Sequence, residues 1–168
     1  AQGEYTLREE IAHYLYQSRG VHCRPEQIVI GSGTEQLIPM ILQILGETNV
    51  YALENPGYQM THHIIQQYRQ RSIPISIDED GLLIHELEKT DANVAYVTPS
   101  HQFPTGAILS APRRSQLLHW ASQRPNRYII EDDYDSEFRY VGKPIPSLQS
   151  MDHQQKVIYL STFSKSLM

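Results

Sequence analysis

Strand-like and helix-like segments alternate along the whole chain, which predicts a three-layer α/β fold: a mostly parallel sheet with helices on both faces. Two further features point the same way. The strand candidates, such as Val94–Val97 and Val157–Leu160, are unbroken apolar runs of the kind found where a parallel strand is buried on both sides. Beyond the carboxyl ends of these runs lie the loops of least ordinary composition, and in open parallel sheets ligands bind at that edge.

The first expected element is an amphipathic helix over Tyr5–Arg19, with Leu7, Ile11, Tyr14 and Leu15 at helical spacing and Gly20 as its stop. After Arg24-Pro25-Glu26, the run Ile28-Val29-Ile30 reads as a short strand ending in Gly31-Ser32-Gly33-Thr34. A helix over Leu37–Leu45 follows, closed by Gly46, with Pro39 near its start, where a missing N–H costs least. Val50–Leu53 is a strand, Glu54-Asn55-Pro56-Gly57-Tyr58 a turn, and Gln59–Arg71 a helix. Ile73–Ile77 is extended, Asp78-Glu79-Asp80-Gly81 turns, and Leu82–Lys89 is helical in pattern. The strand Val94–Val97 runs into the loop Thr98–Gly106, and a helix over Arg113–Gln123 precedes the strand Tyr128–Ile130 and the acidic turn Glu131-Asp132-Asp133-Tyr134. A polar connection containing Pro144 and Pro146 reaches the last strand, Val157–Leu160, which opens into Ser161-Thr162-Phe163-Ser164-Lys165.

With 168 residues, 40% of them apolar and 20% charged, the chain has enough material for one packed core. Fourteen basic residues against nineteen acidic ones leave a net charge of −5, and the basic residues are scattered, so this segment carries no footprint for nucleic acid. Any DNA contact belongs to another part of the protein. The lone Cys23 excludes an internal disulfide, no apolar run reaches membrane-spanning length, and no signal peptide opens the chain, all of which suits the cytoplasm. The adjacent His62 and His63 cannot share a helix face, so no metal site is expected. The chain starts without methionine and stops just after Ser164-Lys165-Ser166-Leu167, which suggests a fragment of a longer protein.

The loops supply the chemistry. Gly31-Ser32-Gly33-Thr34 opens a helix, where unpaired N–H groups and hydroxyls either cradle a phosphate or simply form a tight turn with a cap. Asp132 ends an apolar strand, a place where an ionised carboxylate needs a cation: a protonated pyridine nitrogen answers that need, and a helix cap or a magnesium ion are the plainer alternatives. Tyr134 can offer a phenol to a ring oxygen and Tyr58 an aromatic plate, although among 11 tyrosines either can equally be packing. Thr162 and Ser164 bring hydroxyls beside Lys165, whose amine becomes a nucleophile toward an aldehyde when little water surrounds it.

In sequence order, these pieces resemble the large domain of the fold-type I pyridoxal-phosphate-dependent aminotransferases, and most closely the aminotransferase-like domain of MocR-type regulators of the GntR family. The resemblance rests on Leu7-Arg8-Glu9-Glu10-Ile11 with Arg19-Gly20-Val21, Gly31-Ser32-Gly33-Thr34-Glu35-Gln36, Asn55-Pro56-Gly57-Tyr58, Thr98–Gly106, Glu131–Tyr140 and Thr162-Phe163-Ser164-Lys165. It implies pyridoxal 5'-phosphate as cofactor, with Lys165 as the lysine that bonds its aldehyde. Asp132 would then partner the pyridine nitrogen, Tyr134 the 3-oxygen and Tyr58 the ring face, with Ser32, Gly33, Thr34, Thr162 and Ser164 at or beside the phosphate. One departure stands out: where the enzymes commonly carry an asparagine before Pro-Thr-Gly, this chain has Phe103. The resemblance therefore implies the effector-sensing part of a transcription regulator, answering to an amine or to the cofactor itself. Such a protein binds DNA through a winged-helix domain outside this chain and is a homodimer at full length. The alternative is a free-standing aminotransferase acting on an amino acid and a 2-oxo acid. On either reading the 168 residues are a partial large domain, with the small C-terminal domain lying elsewhere.

Overall fold

In a computed structural model, residues 2–134 and 146–162 are described. They form helices α1 (Tyr5–Arg19), α2 (Thr34–Leu45), α3 (Gln59–Gln67), α4 (Ile84–Glu88) and α5 (Ala111–Ser122). The strands are β1 (Val50–Asn55), β2 (Arg71–Asp78), β3 (Gly81–Leu82), β4 (Val94–Val97), β5 (Tyr128–Asp132) and β6 (Val157–Leu160). One sheet contains all six in the order β3-β2-β1-β4-β5-β6. Every pairing is parallel except that of β2 with β3.

Alternation of side chains along each strand divides the core in two. Ala52, Ala95, Val97 and Ile129 face Leu87 of α4 and Leu117 and Trp120 of α5. Their neighbours Tyr51, Val94, Tyr96 and Ile130 face Ile38, Ile41 and Leu42 of α2 and Ile64 and Ile65 of α3. The three-layer arrangement read from the sequence is thus present, because strands apolar on both faces need a helical layer on each. A third, smaller cluster packs Ile11 and Leu15 of α1 with Val21, Ile28 and Tyr159.

Helix α1 ends where the sequence places its end. Gly20 is left-handed at φ 68 and its N–H donates to the Tyr16 carbonyl at 3.1 Å, the bond of an αL cap, while the Val21 N–H donates to the Leu15 carbonyl at 3.2 Å. Several expectations change. Ile28–Ile30 is extended but is no sheet strand; Ile28 and Ile30 pack on the α1 cluster instead, and the Ile30 N–H donates to the Gln2 carbonyl at 2.8 Å. Helix α2 begins three residues earlier than expected, at Thr34, so Pro39 sits inside it and removes one helical bond. Helix α3 stops at Gln67, because Arg69 turns left-handed at φ 56 and the chain from Arg71 is drawn into β2 beside β1. Pro74 is tolerated in β2 where β1 is its strand neighbour, opposite Leu53.

Candidate functional site

Because they run parallel, β1, β4, β5 and β6 all end at one edge of the sheet. β2 lies on one side of β1 and β4 on the other, so the direction of winding reverses at β1, the kind of position where an open sheet forms a crevice. The loops after β1 and β4 flank it. Helix α2 joins this edge from below. Only Gly46–Asn49 separate its last turn from the start of β1, so α2 runs back along the sheet and its N-terminus lies toward the edge where β1 ends.

The acidic triplet on β5 is sorted by strand alternation. Asp132 shares a face with Ile130 and with Tyr96 on the neighbouring strand, where Tyr96 is in register with Ile130. The Tyr96 phenol donates to Asp132 Oδ2 at 2.6 Å, and the carboxylate is 4% exposed. Burial, followed by the Asp132 charge, holds the phenol of Tyr96 well above its ordinary pKa, so it stays protonated and donating. Asp133 turns to the opposite face. There Arg19 Nε donates to its Oδ2 at 2.7 Å, the Tyr159 phenol makes a short bond to the same oxygen, and the Asp133 N–H donates to the Leu160 carbonyl at 2.8 Å. Glu131, fully buried, accepts the N–H groups of Leu148 and Gln149 at 2.7 and 2.8 Å. Burial, then the neighbouring Asp133, pushes the Glu131 carboxyl up to about 7 against the pull of those two N–H donors.

The flanking loops meet in an aromatic cluster. Tyr58 stacks flat on Phe103 with centroids 4.3 Å apart and meets Tyr134 edge-on at 5.3 Å. The Tyr134 hydroxyl and His101 Nδ1 share a hydrogen bond of 3.0 Å. Gln102, buried at the base, staples both loops: its Nε2 donates to the Pro56 carbonyl at 2.8 Å, and its Oε1 accepts from Thr105 Oγ1 at 2.7 Å. Gly57 has to be glycine, since any Cβ there would collide with the Glu54 carbonyl oxygen. Below the staple, Glu54 accepts from Thr98 Oγ1 at 2.7 Å, and burial lifts its carboxyl to about 7 despite bonds from Thr98 and Gln102.

At the start of α2, Ser32 donates from its N–H and its hydroxyl to Gln36 Oε1 at 2.6 and 3.0 Å. A Cβ on Gly31 would press on Leu37 at 2.7 Å, whereas one on Gly33, at φ +127, would meet nothing within 4 Å. The space beside Gly33 is therefore open at the start of α2, and helix starts are positions that suit anions. Thr162 follows β6 and is exposed; Ser164 and Lys165 lie outside the described residues. Of the residues singled out from sequence, Tyr58 and Tyr134 are in ring contact and Asp132 lies two residues before Tyr134, while Ser32, Gly33, Thr34 and Thr162 share the same sheet edge.

Sequence reading gave Arg19, Gln102 and Glu131 no role, although they lie in motifs that carry the resemblance, and it missed Tyr96 and Glu54. For Tyr96 the available signal was a phenol inside an apolar strand with the same parity as the face that α2 and α3 cover. Among the described residues no group of three His, Cys, Asp or Glu could hold a metal ion, and no helix is long and apolar enough to cross a membrane. The donor set fits a planar, phosphorylated ring bearing a basic nitrogen: aromatic faces, a phenol, a buried carboxylate and a helix start.

The family model for aminotransferase class I and II matches residues 1–168. Among curated proteins, the chain is 48% identical over 166 residues to an uncharacterized HTH-type transcriptional regulator, YdeL, of Bacillus subtilis, covering 99% of this chain and 36% of that protein. It is 34% identical to the probable rhizopine catabolism regulatory protein MocR of Rhizobium meliloti, covering 98% and 34%. To the HTH-type pyridoxine biosynthesis transcriptional regulator PdxR of Corynebacterium glutamicum it is 40% identical, covering 97% and 35%. The chain thus spans about a third of the length of these relatives. Among solved structures, an archaeal alanine:glyoxylate aminotransferase superposes with a TM-score of 0.89 at 31% identity, over 99% of this chain and 44% of that one. The alpha-aminoadipate aminotransferase LysN of Thermus thermophilus, complexed with N-(5'-phosphopyridoxyl)-L-leucine, superposes with a TM-score of 0.85 at 26% identity, over 98% and 43%.

Proposed function

The chain belongs to the aminotransferase class I and II family, and from that membership we propose that it is the pyridoxal 5'-phosphate-binding part of an effector-sensing domain in a MocR-type transcription regulator. When bound, the cofactor supplies an aldehyde that takes up a primary amine and a ring that withdraws electrons. The residues of this chain hold and orient it. Lys165 provides the amine that anchors the aldehyde, Asp132 accepts from the protonated ring nitrogen, and Tyr134, tied to His101, addresses the 3-oxygen. Tyr58 supplies aromatic surface. The phosphate falls to Ser32, Gly33 and Thr34 at the start of α2, with Thr162 and Ser164 beside it.

The observation that carries this reading is the buried Asp132 carboxylate, held by Tyr96 at 2.6 Å two residues before a Tyr134 that meets Tyr58. Regulation in place of rapid turnover is supported by Phe103. Its ring is stacked on Tyr58, and a phenyl group cannot donate or accept the hydrogen bond that an asparagine there would give the 3-oxygen. The regulators among the relatives support it as well. In the full-length cytoplasmic protein, a winged-helix domain ahead of this region contacts DNA, a small domain follows it, and the effector is an amine or the cofactor itself. The assembly is a homodimer. A free-standing aminotransferase is the second reading, favoured by the superposition on the archaeal enzyme.

Full-length protein loaded with pyridoxal phosphate is expected to be yellow and to retain the cofactor irreversibly after borohydride reduction, with the label mapping to Lys165. Lys165→Ala abolishes that retention while the far-ultraviolet circular dichroism is unchanged. Retention by the Lys165→Ala protein would sink the assignment. Cofactor-dependent retardation of promoter DNA by the full-length protein distinguishes regulator from enzyme.

A further inference from the structure

We propose that Tyr96 is a positioning residue for Asp132, a buried phenol on the neighbouring strand that fixes the direction of the carboxylate facing the cofactor's ring nitrogen. This rests on the reading of Asp132 given above.

The bond has a defined polarity. The single proton of the Tyr96 hydroxyl is committed to Asp132 Oδ2 at 2.6 Å. Both groups are buried, Tyr96 at 5% and Asp132 at 4% exposure, so the bond is made away from bulk water. Tyr96 stays a donor over the working pH range, since its ionisation is pushed far upward. A neutral donor at short range favours the charged form of the carboxylate it serves, and the charged form is the one that attracts a protonated ring nitrogen. The strand pairing fixes the geometry. Tyr96 is held in β4, whose register with β5 sets it against Ile130, one alternation from Asp132, and it belongs to the apolar cluster of Ile64, Ile65 and Ile130.

The test uses the full-length holoprotein and the variant Tyr96→Phe, which removes the hydroxyl and keeps the packing volume. Tyr96→Phe is expected to bind pyridoxal phosphate roughly 10-fold or more weakly, the loss associated with one hydrogen bond to a charged group. It also shifts the ring-nitrogen NMR signal of isotopically labelled cofactor toward the unprotonated form, which loss of packing alone would not do. Borohydride retention at Lys165 persists. If the phenylalanine variant folds poorly, the signal of the unaltered holoprotein carries the test: it is expected in the protonated form, and an unprotonated signal overturns the proposal. If retention at Lys165 is intact but affinity and nitrogen signal of Tyr96→Phe match the unaltered protein, the positioning role of Tyr96 is overturned and the cofactor reading stands. If Asp132→Ala leaves the nitrogen signal unchanged, the role of Asp132 fails, and that of Tyr96 with it.

Discussion

A carboxylate taken out of water needs its counter-charge within hydrogen-bond distance, and Asp133 shows how tightly that need constrains one residue. It is 2% exposed and relies on Arg19, itself 3% exposed, and on the Tyr159 phenol. Arg19 also reaches Ser100 at 2.8 Å, and its carbonyl accepts from Ser147, so one arginine joins the end of α1 to the loops after β4 and before β6. Replacing it with methionine keeps much of the volume but leaves the Asp133 charge buried without its cation. A loss of about 3–5 kcal/mol in unfolding free energy is expected for Arg19→Met, read by urea denaturation. A loss below about 1 kcal/mol would mean that Tyr159 alone satisfies the carboxylate. The sequence marked Arg19 only as the basic last residue of an amphipathic helix and as part of a motif that carries the resemblance, with no role attached. Its partner lies 114 residues away, and no local pattern encodes that distance.

At the level of elements, helix α2 carries an avoidable penalty. Pro39 is interior to Thr34–Leu45, cannot donate to the Glu35 carbonyl one turn back, and crowds that turn. Pro39→Ala restores the donor. Unfolded-chain entropy offsets part of the gain, so a net stabilisation of about 1 kcal/mol and a higher Tm are expected by calorimetry. An unchanged or lower Tm would show that the proline ring's packing outweighs the missing bond. The same helix shows why element boundaries were harder to read than elements. Apolar periodicity announced Leu37–Leu45, but the first turn, Thr34-Glu35-Gln36, is polar because it stands at the sheet edge, and periodicity cannot see it. Ile28–Ile30 has strand composition, yet a strand needs a neighbour, and in its place the chain meets α1 and Gln2.

For the molecule as a whole, two acids, the buried Glu131 and the part-buried Glu54, set a pH dependence. Glu54 and Glu131 have carboxyl pKa values raised from 4.5 to about 7, in both cases by burial first. Between those values the folded chain keeps protons that the unfolded chain has released. The contribution of these two groups is therefore fully present below about 4.5 and is lost as pH rises through about 7. Urea unfolding followed from about pH 5 to about pH 8 is expected to show declining stability, with a flatter profile for Glu54→Gln; identical slopes would contradict the raised value. The layered parallel sheet was legible because alternating elements and doubly apolar strands admit few other architectures, and the edge loops were legible because their residues make poor packing material. The Tyr96–Asp132 bond and the clamps were not, because each is made by side chains brought together across strands. The alternation along β5 has one last consequence, for what the chain can tolerate in its length. Asp132 and Tyr134 share one parity, Glu131 and Asp133 the other, so inserting or deleting a single residue directly after Ile130 would set a different acid against Tyr96 and take Asp133 off the face that meets Arg19. Substitutions in this triplet can be graded in their effects. A change of count cannot, and the spacing of the acidic turn is as much a part of the site as its charges.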